Sequence, residues 1–295
     1  MTLLRAQDVP RLPAAALELA ARRALEGRRG GRHRSPFHGS AVEFSDHRAY
    51  QPGDDLRHLD WRILARRDQL LTRRYREERS LPLVLALDTS ASMAWGEPDK
   101  LQHATICLAA LGLLALAQGD EVRVAASADA VGAITEPLCG EAASQELCRR
   151  LAAAAAGTGD PVQVIGSCAA RLSRRHLVVA ASDLLDAEPA ALARALGAAH
   201  ARGHECAILQ ILTRSELELP AAWGTCAVSD PEGRTIPFAC EAGAAKRAYD
   251  AAIAAHVEAC ARACAASHTD HRRAITDEPA AALIGRWLGA RRARR

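Results

Sequence analysis

The sequence predicts an α/β protein with a doubly wound, mainly parallel sheet and helices on both faces. From Leu81 onward, short apolar runs of strand length alternate with longer runs of helical spacing, which is typical of βαβ units. The strand-length runs are continuously apolar, as expected for strands that are buried on both faces of a sheet. Residues 1–80 lack this alternation. We expect them to form an irregular N-terminal extension packed on a main domain of residues 81–295.

Within the extension, helical spacing predicts a helix over 13–27 that ends at Gly27. A short strand is expected near 41–44, and alternation predicts an edge strand over 70–78. Between these strands, apolar residues at helical intervals predict a helix over 54–67. Asp54 or Asp55 would cap it.

Within the main domain, the apolar runs predict strands over 82–87, 121–127, 131–134, 176–181 and 206–212. The intervening runs predict helices over 99–118, 141–155, 161–174 and 187–202. Beyond these we expect a hairpin over 223–238, a long helix over 242–267, a strand over 271–276 and a last helix with Pro279 in its first turn.

Composition indicates an ordinary soluble globular chain, with 49% hydrophobic and 25% charged residues. A formal charge of +3 is too small to predict a polyanionic partner. Nine cysteines, an odd number without a CxxC pair, and the lack of a cleavable N-terminal apolar segment predict a cytoplasmic protein. The longest apolar stretch, 105–117, is too short to span a bilayer, so we expect a buried helix and no membrane segment.

Oxygen-bearing side chains follow the first predicted strand of the main domain. Asp88, Ser90 and Ser92 occupy alternate positions, and a turn there would gather their oxygens around one point. Oxygen ligands suit a hard cation, and Mg²⁺ in particular. Asp183 follows another predicted strand, and the loop before 161 contains Thr158 and Asp160. Since ligands gather beyond the carboxyl ends of parallel strands, these loops could supply one metal site.

The same residues have a simpler interpretation. Asp and Ser favour turns and cap helices without binding any ion, and Thr158 and Asp183 also occupy positions where turns and caps are common.

The stretch "DTSASM", together with "GTGD" and "SDLLD", resembles the metal-ion-dependent adhesion site of von Willebrand factor A-type domains. A longer pattern just before it resembles a more specific bacterial group, the domain of unknown function 58 family. The residues that carry this second resemblance are Tyr50, Gly53, Asp54, Asp55, Arg57, Asp60, Trp61, Ala65 and Arg66.

The resemblance implies a von Willebrand factor A-like fold and no established enzymatic activity. It implies Mg²⁺ or another divalent cation bound by Asp88, Ser90, Ser92, Thr158 and Asp183. The match at Thr158 departs from the family pattern, so Asp160 is the neighbouring alternative. It also implies a protein partner, namely a MoxR-type AAA+ ATPase, for assembly or chaperone-like work, with an acidic ligand residue at the metal.

The segment from Tyr50 to Arg66 has two interpretations. In one it is a structural clamp, in which Trp61 and Leu59 seal the segment onto the core while Arg57 and Arg66 pair with acids. In the other it is a docking surface, with the arginines holding carboxylates of a partner.

Two other function classes stay open. A metal-dependent hydrolase would need Asp54, Asp55, Asp60 and Asp88 to hold two metal ions. A nucleic-acid binder would use the arginine-rich N-terminal segment and would lose affinity steeply with salt, although the near-neutral charge makes nucleic acid the weaker expectation.

Overall fold

The computed structural model describes residues 42–52, 59–77, 81–97, 99–126, 133–154, 157, 159–218 and 242–293. The chain divides into two compact units, and the boundary between them falls between Ser80 and Leu81. The smaller unit is Phe37–Ser80, and the described part of the larger unit begins at Leu81.

Five parallel strands form the sheet of the larger unit: β3 (Leu83–Leu87), β4 (Val122–Ala126), β5 (Leu177–Ser182), β6 (Glu205–Leu212) and β7 (Asp270–Ile275). Their spatial order is β4-β3-β5-β6-β7. The strand order therefore reverses at β3, which lies between β4 and β5 and is paired with both. Every residue of β3 and β5 is buried, as expected for central strands covered on two sides.

Helices connect these strands. They are α2 (Lys100–Ala117), α3 (Ser144–Ala153), α4 (Pro161–Arg171), α5 (Pro189–Ala201), α6 (Arg214–Leu217), α7 (Ala242–Ala266) and α8 (Ala280–Ala293). One face of the sheet carries α4, α5 and α7, whose buried residues share a core with Val84, Val178 and Ile208. The opposite face approaches α2 closely, because a Cβ built on Gly112 would lie 2.9 Å from a methyl carbon of Leu85.

The helix α2 begins where Asp99 accepts hydrogen bonds from the backbone N–H groups of Leu101 and Gln102. Among the described residues, it is the one helix that is long and apolar enough to cross a membrane by length and composition. Most of it is buried inside the protein. This agrees with the expected buried helix, whereas the expectation that the apolar stretch is too short to span a bilayer is wrong, because the helix extends over 18 residues.

The smaller unit contains two antiparallel strands, β1 (Val42–Ala49) and β2 (Leu71–Glu77), and the helix α1 (Trp61–Arg67). This helix begins at Trp61, later than the sequence predicts, because Leu59 forms a β-bridge with Thr72 and Asp60 is the cap; residues 53–58 lie outside the described residues. Asp60 caps α1 by accepting hydrogen bonds from the N–H groups of Arg62 and Ile63. The expectation that Asp54 or Asp55 caps this helix is therefore wrong.

The other elements agree with the sequence prediction to within a few residues, with one exception. Of the strand expected over 131–134, residues 131–132 lie outside the described residues, and Ile134 forms an isolated antiparallel bridge with Ala125. The helix expected over 13–27 and the hairpin expected over 223–238 lie outside the described residues.

Candidate metal site

The site lies at the carboxyl ends of two neighbouring strands. β3 and β5 are paired in parallel; the loop after β3 begins with Asp88, and β5 ends at Ser182 and is followed by Asp183. The N–H group of Asp88 donates a hydrogen bond of 3.0 Å to the carbonyl oxygen of Ala181, so the pairing continues to the start of the first loop. This is the crevice in which open parallel sheets bind ligands.

The first loop folds back on itself directly after β3. Asp88 Oδ1 accepts a hydrogen bond of 2.9 Å from the N–H group of Ser90, which turns the chain. A short 3-10 helix, Ala91–Ala94, follows and carries Ser92. The hydroxyl oxygens of Ser90 and Ser92 lie 3.0 Å apart, and both residues are buried. The structure thus brings together the three first-loop residues that the sequence singles out.

This spacing tests whether Mg²⁺ fits. Mg²⁺ demands octahedral geometry with oxygens at about 2.0–2.1 Å, which places two adjacent oxygen ligands about 2.8–3.0 Å from each other. The hydroxyls of Ser90 and Ser92 are hydrogen-bonded to each other at 3.0 Å, and this separation also falls within the range of two adjacent ligands. The first loop can therefore offer two adjacent ligands without a rearrangement of the backbone.

A second loop joins the first at Gly157. Gly157 forms a parallel bridge with Ser90, and its N–H group donates to the carbonyl oxygen of Thr89 at 2.6 Å. Thr158, the next residue, lies outside the described residues, so its role as a ligand stays a prediction. Asp160 caps α4, because its Oδ1 accepts a hydrogen bond of 2.8 Å from the N–H group of Val162.

The third loop is tied to the first through Ser182. The Ser182 hydroxyl donates a hydrogen bond of 2.6 Å to Asp88 Oδ2 and accepts one from the N–H group of Leu184. Leu184 adopts a left-handed backbone conformation with φ of 58°, which is unusual for a residue with a branched side chain and marks a sharp turn. Asp183 follows Ser182 and is also buried. This turn holds Asp183 at the same sheet edge as Asp88.

The electrostatics of the site favour a cation. Burial, and after it the neighbouring charge of Asp183, raise the pKa of Asp88 to about 6, against the lowering effect of hydrogen bonds from Ser182 and Ser90. Asp88 is only 3% exposed. A buried carboxylate beside a second one is destabilised until a positive charge compensates for them.

Two further charged residues at the site were missed by the sequence analysis. The Lys100 ammonium donates a hydrogen bond of 2.7 Å to Asp183 Oδ2 and also contacts Glu216 Oε1. Lys100 is the first residue of α2, so a lysine that opens an apolar helix just after the first loop is the signal that could have found it. The "TRSE" stretch at 213–216 matches a capping box and could have drawn attention to Glu216.

The structure describes only part of the signature segment, which is the segment from Tyr50 to Arg66. Gly53, Asp54, Asp55 and Arg57 lie outside the described residues. Tyr50 donates a backbone hydrogen bond to Leu70, and the exposed Arg66 lies in the last turn of α1.

Trp61 is 59% exposed, and the expected seal of this segment onto the core of the main domain stays a prediction, because the two compact units are described separately. It is the first residue of α1, directly after the cap at Asp60, and Leu59 is the buried apolar residue of the pair. Both interpretations of the segment therefore stay open.

The fold and the site define a class of protein. A parallel sheet whose order reverses at β3, with an Asp-x-Ser-x-Ser loop at its carboxyl edge, is a von Willebrand factor A-like domain. The chain belongs to the family described as "Protein of unknown function DUF58", whose model matches residues 46–259.

This chain is similar to two proteins whose names state no function. "Uncharacterized protein Rv1480" of Mycobacterium tuberculosis is 30% identical over 296 residues, which is 97% of this chain and 91% of that protein. "Uncharacterized protein YeaD" of Bacillus subtilis is 46% identical over 50 residues, covering 17% of this chain and 13% of that protein.

Among solved structures, this chain is similar to the conserved hypothetical protein BatB from Bacteroides thetaiotaomicron, with 14% sequence identity and a TM-score of 0.47. An aerotolerance-related membrane protein from Bacteroides fragilis gives 14% identity and a TM-score of 0.46. Both comparisons cover 72% of this chain and 100% of the other.

Proposed function

We propose that this chain is a Mg²⁺-dependent protein-binding module without enzymatic activity of its own. The observation that carries the proposal is the 3.0 Å spacing of the Ser90 and Ser92 hydroxyl oxygens beside the buried carboxylate of Asp88. Asp88, Ser90 and Ser92 would hold the ion, with Asp183 and Thr158 as the further ligands. When bound, the ion supplies an electrophilic centre for an oxygen ligand from another molecule.

The charge balance supports a site that recruits a partner. Asp88 and Asp183 bring two negative charges, while Lys100 and Glu216 bring one of each sign. Hydroxyl ligands are neutral, so the protein ligands do not add more negative charge than the divalent ion carries. The ion therefore keeps its affinity for an incoming carboxylate. The expected partner group is therefore an acidic side chain on the surface of another protein.

The hydrolase alternative finds less support. It requires Asp60 as one ligand of a two-metal cluster. Both carboxylate oxygens of Asp60 already have neighbours in its own unit: Oδ1 caps α1, and Oδ2 lies 3.1 Å from Nε2 of His47. Asp54 and Asp55, the other ligands that this alternative needs, lie outside the described residues.

The partner that the family resemblance favours is a MoxR-type AAA+ ATPase, and the expected location is the cytoplasm. In this proposal the module and the ATPase would work together in assembly or chaperone-like maturation of other proteins. The metal site would supply the contact that joins the two proteins.

A pull-down with the MoxR-type ATPase from the same organism tests this function. We expect capture in Mg²⁺ buffer, loss of capture in chelator, and loss in Asp88→Ala in either buffer. Asp277→Ala is the matched control, because Asp277 is a partly exposed acid that pairs with Arg214 outside the site. Capture that ignores both the chelator and Asp88→Ala would contradict the proposal, and chelator-insensitive binding to nucleic acid that falls steeply with salt would favour the alternative.

A further inference from the structure

A buried lysine lies between two carboxylates behind the metal loops. The side chain of Lys100 is fully buried, and its ammonium donates to Asp183 at 2.7 Å and contacts Glu216. Burying an ammonium is costly unless charged partners surround it. Two carboxylates around one ammonium leave the cluster with a net negative charge, which can attract a cation.

The three residues come from three different strand ends. Lys100 opens the helix after the first loop, Asp183 follows β5, and Glu216 lies in the short helix α6 after β6. The cluster therefore connects the metal loops to the segment after β6, which the metal itself would not touch.

Glu216 is held in place independently of Lys100. Its Oε2 accepts hydrogen bonds from the N–H and hydroxyl groups of Thr213, at 2.8 and 3.0 Å, while Oε1 faces Lys100. The N–H group of Glu216 in turn bonds to the Thr213 hydroxyl, which completes a capping box. Glutamine serves a capping box as well as glutamate does, so Glu216→Gln removes the charge while the cap persists.

Asp183 is shared in a similar way. Its Oδ2 accepts from Lys100, and its Oδ1 accepts a hydrogen bond of 3.1 Å from the N–H group of Leu185. Each carboxylate oxygen can accept more than one bond, so Asp183 retains capacity for an ion or an ion-bound water. How strongly Asp183 attracts that ion depends on how much of the Lys100 charge is compensated elsewhere.

We infer that Lys100 and Glu216 are a positioning pair that sets the cation affinity of the site by charge balance. Glu216 offsets the positive charge of Lys100, and this leaves the charge of Asp183 available to the ion. Without Glu216, the whole charge of Lys100 opposes the ion at Asp183. The inference rests on the proposed function, because it concerns the affinity of the same site.

Mn²⁺ binding to the full chain, measured by isothermal titration calorimetry, tests this inference. Glu216→Gln should weaken Mn²⁺ binding by at least about tenfold, since it adds one net positive charge near the ion in a buried environment. The double variant Lys100→Met/Glu216→Gln restores the wild-type charge and should bind within about threefold of wild type, although it loses more stability. A pair that only holds the fold together would not produce this rescue.

Each outcome decides. Equal affinities of wild type and Glu216→Gln, or a double variant as weak as Glu216→Gln, would overturn the charge-balance inference and leave the metal site intact. A wild-type chain that binds no Mn²⁺ would overturn the proposed function itself. Circular dichroism establishes whether each variant is folded. If the double variant is unfolded, the comparison of the Mn²⁺ affinities of Glu216→Gln and wild type decides by itself.

Discussion

The hydroxyl of Ser182 donates a hydrogen bond of 2.6 Å to Asp88, which joins the ends of β5 and β3 through one buried contact. The same hydroxyl accepts from the N–H group of Leu184. One small side chain therefore orients a metal-loop carboxylate and supports the strained turn that carries Asp183. Several expected outcomes depend on this junction.

Ser182→Ala should lower the free energy of unfolding by about 1–3 kcal/mol, because it leaves Asp88 and the N–H group of Leu184 short of a buried partner. Urea unfolding at neutral pH measures the change. Ser173→Ala is the matched control, since Ser173 is exposed, and it should change the value by less than about 0.5 kcal/mol. A Ser182→Ala variant as stable as wild type would contradict the assigned role of this hydroxyl.

Asp88→Asn should change how the stability of the metal-free protein depends on pH. The pKa of Asp88 is raised from 3.8 to about 6 by burial and by Asp183, so the folded state binds the proton more tightly than the unfolded state does. The folded wild type therefore loses stability relative to Asp88→Asn as pH rises from about 4 to 6, by about 3 kcal/mol at most. Thermal unfolding of both proteins in chelator across this range measures the difference, and parallel pH profiles would refute it.

Ser90→Ala and Ser92→Ala should each weaken Mn²⁺ binding by about tenfold or more, because each removes one oxygen ligand from an octahedral ion. Each substitution also removes the hydrogen bond between the two buried hydroxyls and should lower the free energy of unfolding by about 1–3 kcal/mol, so the affinity is measured on variants shown to be folded. Titration calorimetry measures the affinity, with Ser173→Ala as control. An unchanged affinity in both variants would place the ion elsewhere.

Trp61→Ala separates the two interpretations of the signature segment. Because Trp61 is largely exposed, its removal should alter the free energy of unfolding by less than about 0.5 kcal/mol. If the segment docks a partner, the same variant should reduce capture of the ATPase at least about fivefold, as loss of an exposed aromatic anchor does. Leu70→Ala, another exposed apolar residue of the same unit, is the control. A large drop in the free energy of unfolding of Trp61→Ala would support the clamp interpretation.

Much of the fold could be predicted because its strands have a clear sequence pattern. β3 is a continuous apolar run and β5 and β6 are mainly apolar, and a parallel sheet buried on both faces produces that pattern. The order of the strands in the sheet could not be predicted from the same pattern. The spacing of apolar residues indicates which residues are buried, but it does not indicate which strands are paired.

The site was predictable where its residues are close in sequence. Asp88, Ser90 and Ser92 lie in one loop, so local turn chemistry brings them together. Lys100 and Glu216 were missed because their contact joins residues 116 positions apart. Only the tertiary fold shows that a charged residue at the start of an apolar helix is buried against two acids.

Diffraction from a crystal soaked in Mn²⁺ tests the central claim most directly, because the anomalous signal of manganese locates the ion without assumptions about its ligands. We predict one strong peak about 2.0–2.2 Å from the hydroxyl oxygens of both Ser90 and Ser92, within coordination distance or one water of Asp88 and Asp183. No peak at these hydroxyls in a fully soaked crystal, or a strong peak only at another site, would contradict it.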